Sequence, residues 1–383
     1  MKITVALRTF GTCAALLASC ATNAISQPEP VPRMSERCLD AASYVVLAKQ
    51  WMEYIDSHGE TADALVNLGM ARRYSGEMEA ARLAGKRAVE LEPENPRALA
   101  FYATVLSLLD AQSDEAIELL ERCRAVAPDF ADGLISLAGA YLRGGRLKKA
   151  EDACGTMFEQ QIIPRPLQDF AYNMLIGLPE GAVLVTNGDD DTFAPIAMQS
   201  GMNLRTDVVV VNRHLLNAHV YADSLFREHE LLRPSKTVKD GLGREASRAI
   251  IDRWLVEGKT PVYFAVTVPL HDLGLDTGKM AIEGLGWRGA GEGLEPEEIA
   301  RLVLERYRLD SATDWAFGWD LVPNLSMEVG HNYVASLMNL AKREGVGADT
   351  RCRLLGKALA IAEFHGLPVK AQLEALVKKC GTR

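Results

Sequence analysis

One stretch of this chain repeats itself, and that repetition limits the folds open to it. Between about Ala62 and Pro164 the run Leu65-x-x-Leu68-Gly69 is followed by Gly76, Ala81, Ala88 and Pro93. One period later Leu99-x-x-Tyr102-Ala103 precedes Ala116, Cys123 and Pro128. A third pass gives Leu134-x-x-Leu137-Ala138, then Tyr141, Gly145, Ala150, Met157 and Pro164. The period is close to ~34 residues, the length of a helical hairpin that cannot bury its apolar face alone and must stack. Small residues such as Gly69, Ala81, Ala103, Ala116, Ala138 and Ala150 let paired helices approach, and large ones fill the space between hairpins. Pro93, Pro128 and Pro164 end the second helix of each pair, because proline lacks the amide donor and clashes with the preceding turn. The middle unit carries one extra residue in its inner turn, near Ser113.

This order of large and small residues resembles the tetratricopeptide repeat. The resemblance implies a curved stack over residues 59–164 whose first helices line a groove. The lining would include Val66, Met70, Arg73, Ala100, Thr104, Ser107, Ile135 and Leu142. That mix of small and apolar residues with one cation suits an extended peptide or a helix. The other reading is a stack that packs only against the chain's own second domain. An apolar helix from about Ser35 to Ser57, within a segment 34–58, is expected to cap the stack.

The N-terminus reads as an export signal. Lys2 and Arg8 precede a short apolar run, Thr9 to Ser19, too short to span a bilayer. It ends in Leu17-Ala18-Ser19-Cys20, which resembles a bacterial lipobox. The resemblance implies a signal peptide at 1–19, acylation (palmitate) of Cys20 and, with Ala21 next, sorting to the outer membrane facing the periplasm. An ordinary signal peptide cut elsewhere is the alternative. The prolines of Gln27-Pro28-Glu29-Pro30-Val31-Pro32 predict an extended tether over residues 20–33. The net charge of -9 and the lack of a basic stripe argue against nucleic acid. An exported chain can form disulfides, and Cys352 and Cys380 sit on successive predicted helices about the turn Gly366-Leu367-Pro368. Cys123 and Cys154 read as small buried apolar residues.

After Pro164 the pattern changes. Bare apolar runs at Gly181–Thr186, Thr206–Asn212 and Pro261–Val268 alternate with helical patterns at Thr192–Gln199, His219–Leu232 and Arg244–Val256. A last strand is expected over Lys279–Arg288. Strands buried on both faces and alternating with helices predict a three-layer α/β domain with a mostly parallel sheet, residues 165–325. A helical hairpin, residues 326–383, follows. The fold class is therefore α plus α/β. The acidic run Asp189-Asp190-Asp191-Thr192 directly follows the first strand, and Asn212, Arg213 and Asn217 follow the second. In open α/β sheets ligands bind at such strand ends. Two carboxylates there could hold a divalent cation or orient sugar hydroxyls. Equally, Asp191 or Thr192 caps the next helix and Gly188 serves its turn. No cofactor motif is established, and His214 and His219 stand beside no nucleophile or metal spacing. The glycines at 284, 286, 289, 291 and 293 lack a Walker lysine and read as a loose loop.

Residues 167 to 383 also resemble the soluble extracytoplasmic part of a bacterial family of multi-spanning proteins related to protein O-mannosyltransferases. The resemblance rests on Thr186-Asn187-Gly188-Asp189-Asp190-Asp191-Thr192-Phe193, Asp207 to Asn212, Leu215-Leu216-Asn217 with Tyr221, and Pro261 to Ala265 with Thr267-Val268. It continues through Glu283-Gly284-Leu285, Trp287-Arg288 and Asn332-Tyr333. The family often carries asparagine where this chain has Asp190. Its membrane-embedded glycosyltransferase part is absent, so no transferase activity carries over. The expectation is an envelope scaffold that docks a protein partner. An envelope enzyme or binding module acting on a glycan or sugar phosphate through Asp189–Asp191 is the alternative.

Overall fold

A computed structural model describes residues 26–32, 37, 39–110, 112–234, 244–276, 280–314, 316 and 323–380. Cys20, with the signal and acylation expectations, lies outside these residues. The chain is mostly helical, with a small mixed sheet.

The repeat region forms three antiparallel hairpins: α2 (Ala62–Tyr74) with α3 (Met78–Leu91), α4 (Pro96–Leu109) with α5 (Asp114–Val126), and α6 (Ala131–Arg143) with α7 (Leu147–Glu159). Thr61, Asn95 and Ser113 start α2, α4 and α5 by accepting hydrogen bonds from otherwise unpaired first-turn amides. Proline at the first position of α4 costs no bond there. A Cβ at Gly69 would meet the Phe101 ring, so glycine there lets that ring seat between the first two units. Cys123 and Cys154 are buried free thiols.

Helix α1 (Ala41–His58) covers the first unit through Tyr44, Ala48 and Trp51. The proline-rich segment, expected as a free spacer, is partly docked. The Val31 amide donates to Asn67 Oδ1 at 2.9 Å, and the Glu29 carbonyl accepts from Trp51 Nε1 at 3.2 Å. Val31 is buried with Tyr44 and Leu68, and that apolar contact is what pins the segment.

Helix α8 (Arg165–Ile176), absent from the sequence reading, leads into β1 (Val183–Thr186), α9 (Asp190–Met202), β2 (Val209–Asn212), α10 (His219–Glu228), α11 (Arg244–Glu257) and β3 (Val262–Ala265). The expected single last strand is a hairpin, β4 (Ala281–Glu283) and β5 (Gly286–Ala290), turned at Gly284 with φ 61°. Sheet order is β2-β1-β3-β5-β4. The first three strands are parallel, while β5 is antiparallel to both β3 and β4, so half of the strand pairings are not parallel. An antiparallel edge on a parallel sheet is a common arrangement.

Helix α12 (Pro296–Arg306) follows. Three helices rather than a hairpin then complete the described chain: α13 (Pro323–Lys342), α14 (Ala348–Phe364) and α15 (Lys370–Cys380). Cys352 and Cys380 are disulfide-bonded, with Cα atoms 5.7 Å apart, tying α14 to α15.

The hydrophobic core does not divide at residue 164. One continuous cluster runs from Leu99 in α4 through the sheet to Leu373 in α15. The first unit instead sits in two small clusters, one around Val66 and Phe101 and one around Trp51 and Leu68.

Candidate functional site

The C-terminal ends of β1, β2 and β3 converge on one turn, Asn187-Gly188-Asp189, which opens α9. Asp191 is buried there, and its carboxylate accepts from the Asn187 amide at 2.8 Å and the Gly188 amide at 2.7 Å. The Thr267 hydroxyl, just past β3, donates to the same carboxylate. Thr192 Oγ1 lies 2.6 Å from Thr186 Oγ1, and Asn212 Nδ2 reaches Thr192 Oγ1 at 3.1 Å and the Gly188 carbonyl at 3.2 Å. Asn212 Oδ1 accepts from the His214 and Leu215 amides. Asn217 Oδ1 accepts from the Ser247 amide at 3.0 Å, on α11. Arg213 bridges Asn187 Oδ1 at 2.7 Å and Asp272 at 3.1 Å.

Asp191, Thr192 and Asn212 are thus brought together, and each is occupied in holding the strand ends. Burial pushes Asp191 upward, against its hydrogen bonds from Thr267 and the two amides. The expectation that Asp191 or Thr192 caps the helix is not met: the N-cap is Asp189, which makes no side-chain cap bond, and Asp191 instead ties down the turn before the helix through the Asn187 and Gly188 amides. Asp189 and Asp190 are different: both are exposed, and Asp189 makes no capping bond. Loss of surrounding water, then the Asp189, Asp191 and Glu328 carboxylates, push Asp190 up to about 6, although its side chain still reaches the surface. Among the described residues no group of three or more His, Cys, Asp or Glu side chains is placed to hold a metal ion. His214 and His219 are exposed.

The loop read as loose is packed. Gly291, with φ 94°, presses on Pro261, and Gly293 lies against Arg288 and Glu283. The fully buried Glu283 accepts from Tyr263 Oη at 2.7 Å and faces Arg288 Nε at 3.3 Å. The Glu283-Gly284-Leu285 and Trp287-Arg288 motifs therefore build an internal charge brace.

The expected groove lining needs correction at four residues. Val66 and Leu142 are core residues, 1% and 4% exposed, and cannot line an open surface. Val66 packs in a cluster with Ala81 and Phe101, and Leu142 in the cluster that continues into the sheet. Ala100 and Ser107 are buried as well. Met70, Arg73, Thr104 and Ile135 remain half-buried on the inner helices, and Thr104 Oγ1 lies 2.8 Å from Ser136 Oγ. The far end is closed by the chain itself: Phe193 of α9 stands over Gly139 of α6.

Arg143, the last residue of α6, was not singled out by sequence. Its Nη2 donates to Ser107 Oγ at 3.1 Å, while its Nε is buried with no partner. Burial lowers its pKa, the nearby Asp189 carboxylate opposes that, and the Arg73 charge adds to it. Arg143 and Phe193 of α9 both stand against Gly139, so the end of α6 abuts α9. The available signal was a cation closing the otherwise small and apolar run Gly139-Ala140-Tyr141-Leu142.

Elsewhere a cavity of about 550 Å³ lies among α7, α9, β2 and α10, lined in part by Glu151, Asp152, Gln199, Val210 and His229. Among the described residues no helix is long and apolar enough to cross a membrane.

Residues 167–237 match the family model described as TMEM260-associated domain 2. No curated protein matches the chain. Similar solved structures include the crystal structure of MamA, at TM-score 0.30 and 18% identity over 49% of this chain and 91% of that one. The structure of Naa15/Naa10 bound to HypK-THB is similar at TM-score 0.24 and 13% identity, over 89% of this chain and 56% of that one. What the comparisons establish is a chain whose sheet region, over residues 167–237, is similar to the TMEM260-associated domain 2 family.

Proposed function

We propose that this protein is a scaffold of the bacterial cell envelope, held to lipid through Cys20, that docks an extended segment of a protein partner along the inner faces of α2 and α4. The observation carrying the reading is the contrast within the repeats. Met70, Arg73 and Thr104 stay accessible on the inner helices, while the equivalent end of α6 is covered by α9. Stacked hairpins with an accessible inner wall are suited to extended or helical ligands. The lipobox-like Leu17-Ala18-Ser19-Cys20 supports the anchor, and Ala21 supports outer-membrane sorting.

We read the sheet region as a brace for the stack. In this reading α9 and the pair α10–α11 lie on opposite faces of β2-β1-β3, as right-handed crossovers between parallel strands require, which would give three layers. The similarity over residues 167–237 is compatible with kinship to the extracytoplasmic part of the O-mannosyltransferase-like family. Chemistry on a glycan at Asp189–Asp191 is favoured by no contact at that turn, where Asp191 is spent on two amides and Thr267.

A photo-crosslinking residue at Met70 or Thr104, in intact cells, is expected to capture one partner that Leu83, exposed on α3, does not. Capture of the same protein from both faces would contradict the groove. Labelled palmitate is expected to be incorporated by the wild type and lost in Cys20→Ala.

A further inference from the structure

Strand β2 is an edge of the sheet, with β1 on one side and no strand on the other. Its bonds fix which groups face outward. The Val209 amide donates to the Ala182 carbonyl and the Arg213 amide to the Thr186 carbonyl, so positions 209, 211 and 213 turn toward β1. Val208, Val210 and Asn212 alternate with them and turn away. The chain itself covers two of these outward positions. The Val208 carbonyl accepts from Gln199 Nε2 at 2.7 Å, and the Asn212 amide donates to Tyr221 Oη at 3.3 Å. Between them the outward amide and carbonyl of half-buried Val210 meet no partner among the described residues. Proteins cover sheet edges because an unpaired amide and carbonyl recruit another strand. Here the cover is interrupted at one residue.

The gap opens on the 550 Å³ cavity. Val208 to Val210 form one wall, and Thr156 of α7, Ser200 of α9 and Leu225 of α10 stand around it. An added strand takes about 4.8 Å sideways, about 10 Å between layers and about 3.3 Å along the chain per residue, or roughly 160 Å³. The cavity therefore has room for about three to four extended residues.

We propose that a short extended segment of a protein partner adds to β2 in this cavity, donating a backbone hydrogen bond to the Val210 carbonyl and accepting one from the Val210 amide. Strand addition draws its affinity from such main-chain bonds. This is a docking point separate from the inner faces of α2 and α4, and it does not depend on them. A second copy of this chain is the poorer occupant. Its own β2 edge lies in the same recess between α7 and α10, which keeps two such edges from reaching strand spacing, about 4.8 Å. The charged lining is Glu151, Asp152 and Glu159 against Lys148 and His229, and Lys148 already lies 3.1 Å from Glu151 and 3.6 Å from Asp152. An acidic segment is therefore disfavoured.

The test pans a displayed random hexapeptide library on the immobilised full chain, as wild type and as Ser200→Trp, whose indole fills the cavity from an exposed position. The wild type is expected to select peptides, poor in Asp and Glu, that Ser200→Trp does not hold. The best of these is remade with one backbone N-methyl group at each residue in turn. Affinity should fall about tenfold at one position, the donor to Val210, as the loss of a hydrogen bond implies. Val210→Pro removes the outward amide, a change that edge strands tolerate, and should weaken the same peptide by a similar factor. The methyl scan alters the peptide alone, so it decides the matter even where Val210→Pro fails to fold. Bound peptide should also slow hydrogen exchange at the Val210 amide. Selection that Ser200→Trp leaves unchanged, a flat methyl scan, or peptides rich in Asp and Glu would overturn the inference. So would a wild type that dimerises in size-exclusion chromatography where Ser200→Trp does not, since the edge would then belong to a second copy.

Discussion

The first and third repeats share a sequence pattern yet occupy different surroundings. Leu65 and Leu134 hold equivalent positions, 5% and 1% exposed. Leu65 packs in a small cluster with Val66, Ala81 and Phe101, whereas Leu134 belongs to the cluster that continues through the sheet to Leu373. A repeat stack transmits stability only between neighbours. The first unit is therefore the part free to adjust to a ligand, and the third is anchored by the sheet. An accessible docking wall and a rigid brace come from one motif because α9 packs on α7 and its Phe193 covers Gly139 at one end only.

The same truncation at the two positions sharpens this contrast most. Leu134→Ala is expected to cost about 2–5 kcal/mol, the range for a buried leucine that leaves a cavity, and to lower protection of amides in β1 and β3 as well as in α6. Leu65→Ala should loosen α1 to α3 and leave the sheet's hydrogen exchange unchanged, because local openings follow local contacts. Equal loss of sheet protection in both variants would break the comparison.

A smaller effect separates the two acids of the turn. Asp191→Ala leaves the Asn187 and Gly188 amides without their acceptor, a loss of about 1–3 kcal/mol at neutral pH. Asp190→Asn should act in the opposite direction. The folded chain holds the Asp190 proton up to about 6 against 3.8 for the ordinary carboxyl. Its contribution favours the folded state below roughly pH 4 and is lost as pH climbs to about 6, since in that window the folded state binds the extra proton. The asparagine variant should therefore be more stable than the wild type at pH 7, with a flatter profile from pH 4 to 6. A thermal melt series reads both, and a wild type more stable than Asp190→Asn at pH 7 would refute the crowding. An uncharged side chain at this position avoids the repulsion from Asp189, Asp191 and Glu328.

The repeats were legible because each hairpin writes its small and large residues at fixed spacing. Helix α8 escaped notice because its buried face, with Leu167, Phe170, Ala171 and Met174, directly follows the proline that ends the last repeat. The β4–β5 hairpin read as one strand because its turn is a single Glu-Gly-Leu step between apolar runs. Val66 and Leu142 were misplaced because helical position alone does not say which neighbour covers a side chain, and that depends on how the units stack. Arg143 gives no sign in sequence for the same reason: its contact with Ser107 of α4 depends on how the units stack.

Hydrogen exchange of the full chain, with and without the partner captured at Met70 or Thr104, tests the central claim most directly. The account predicts added protection along α2 and α4. Protection confined to α7, α9 and β2 around the 550 Å³ cavity would place the ligand elsewhere and contradict it.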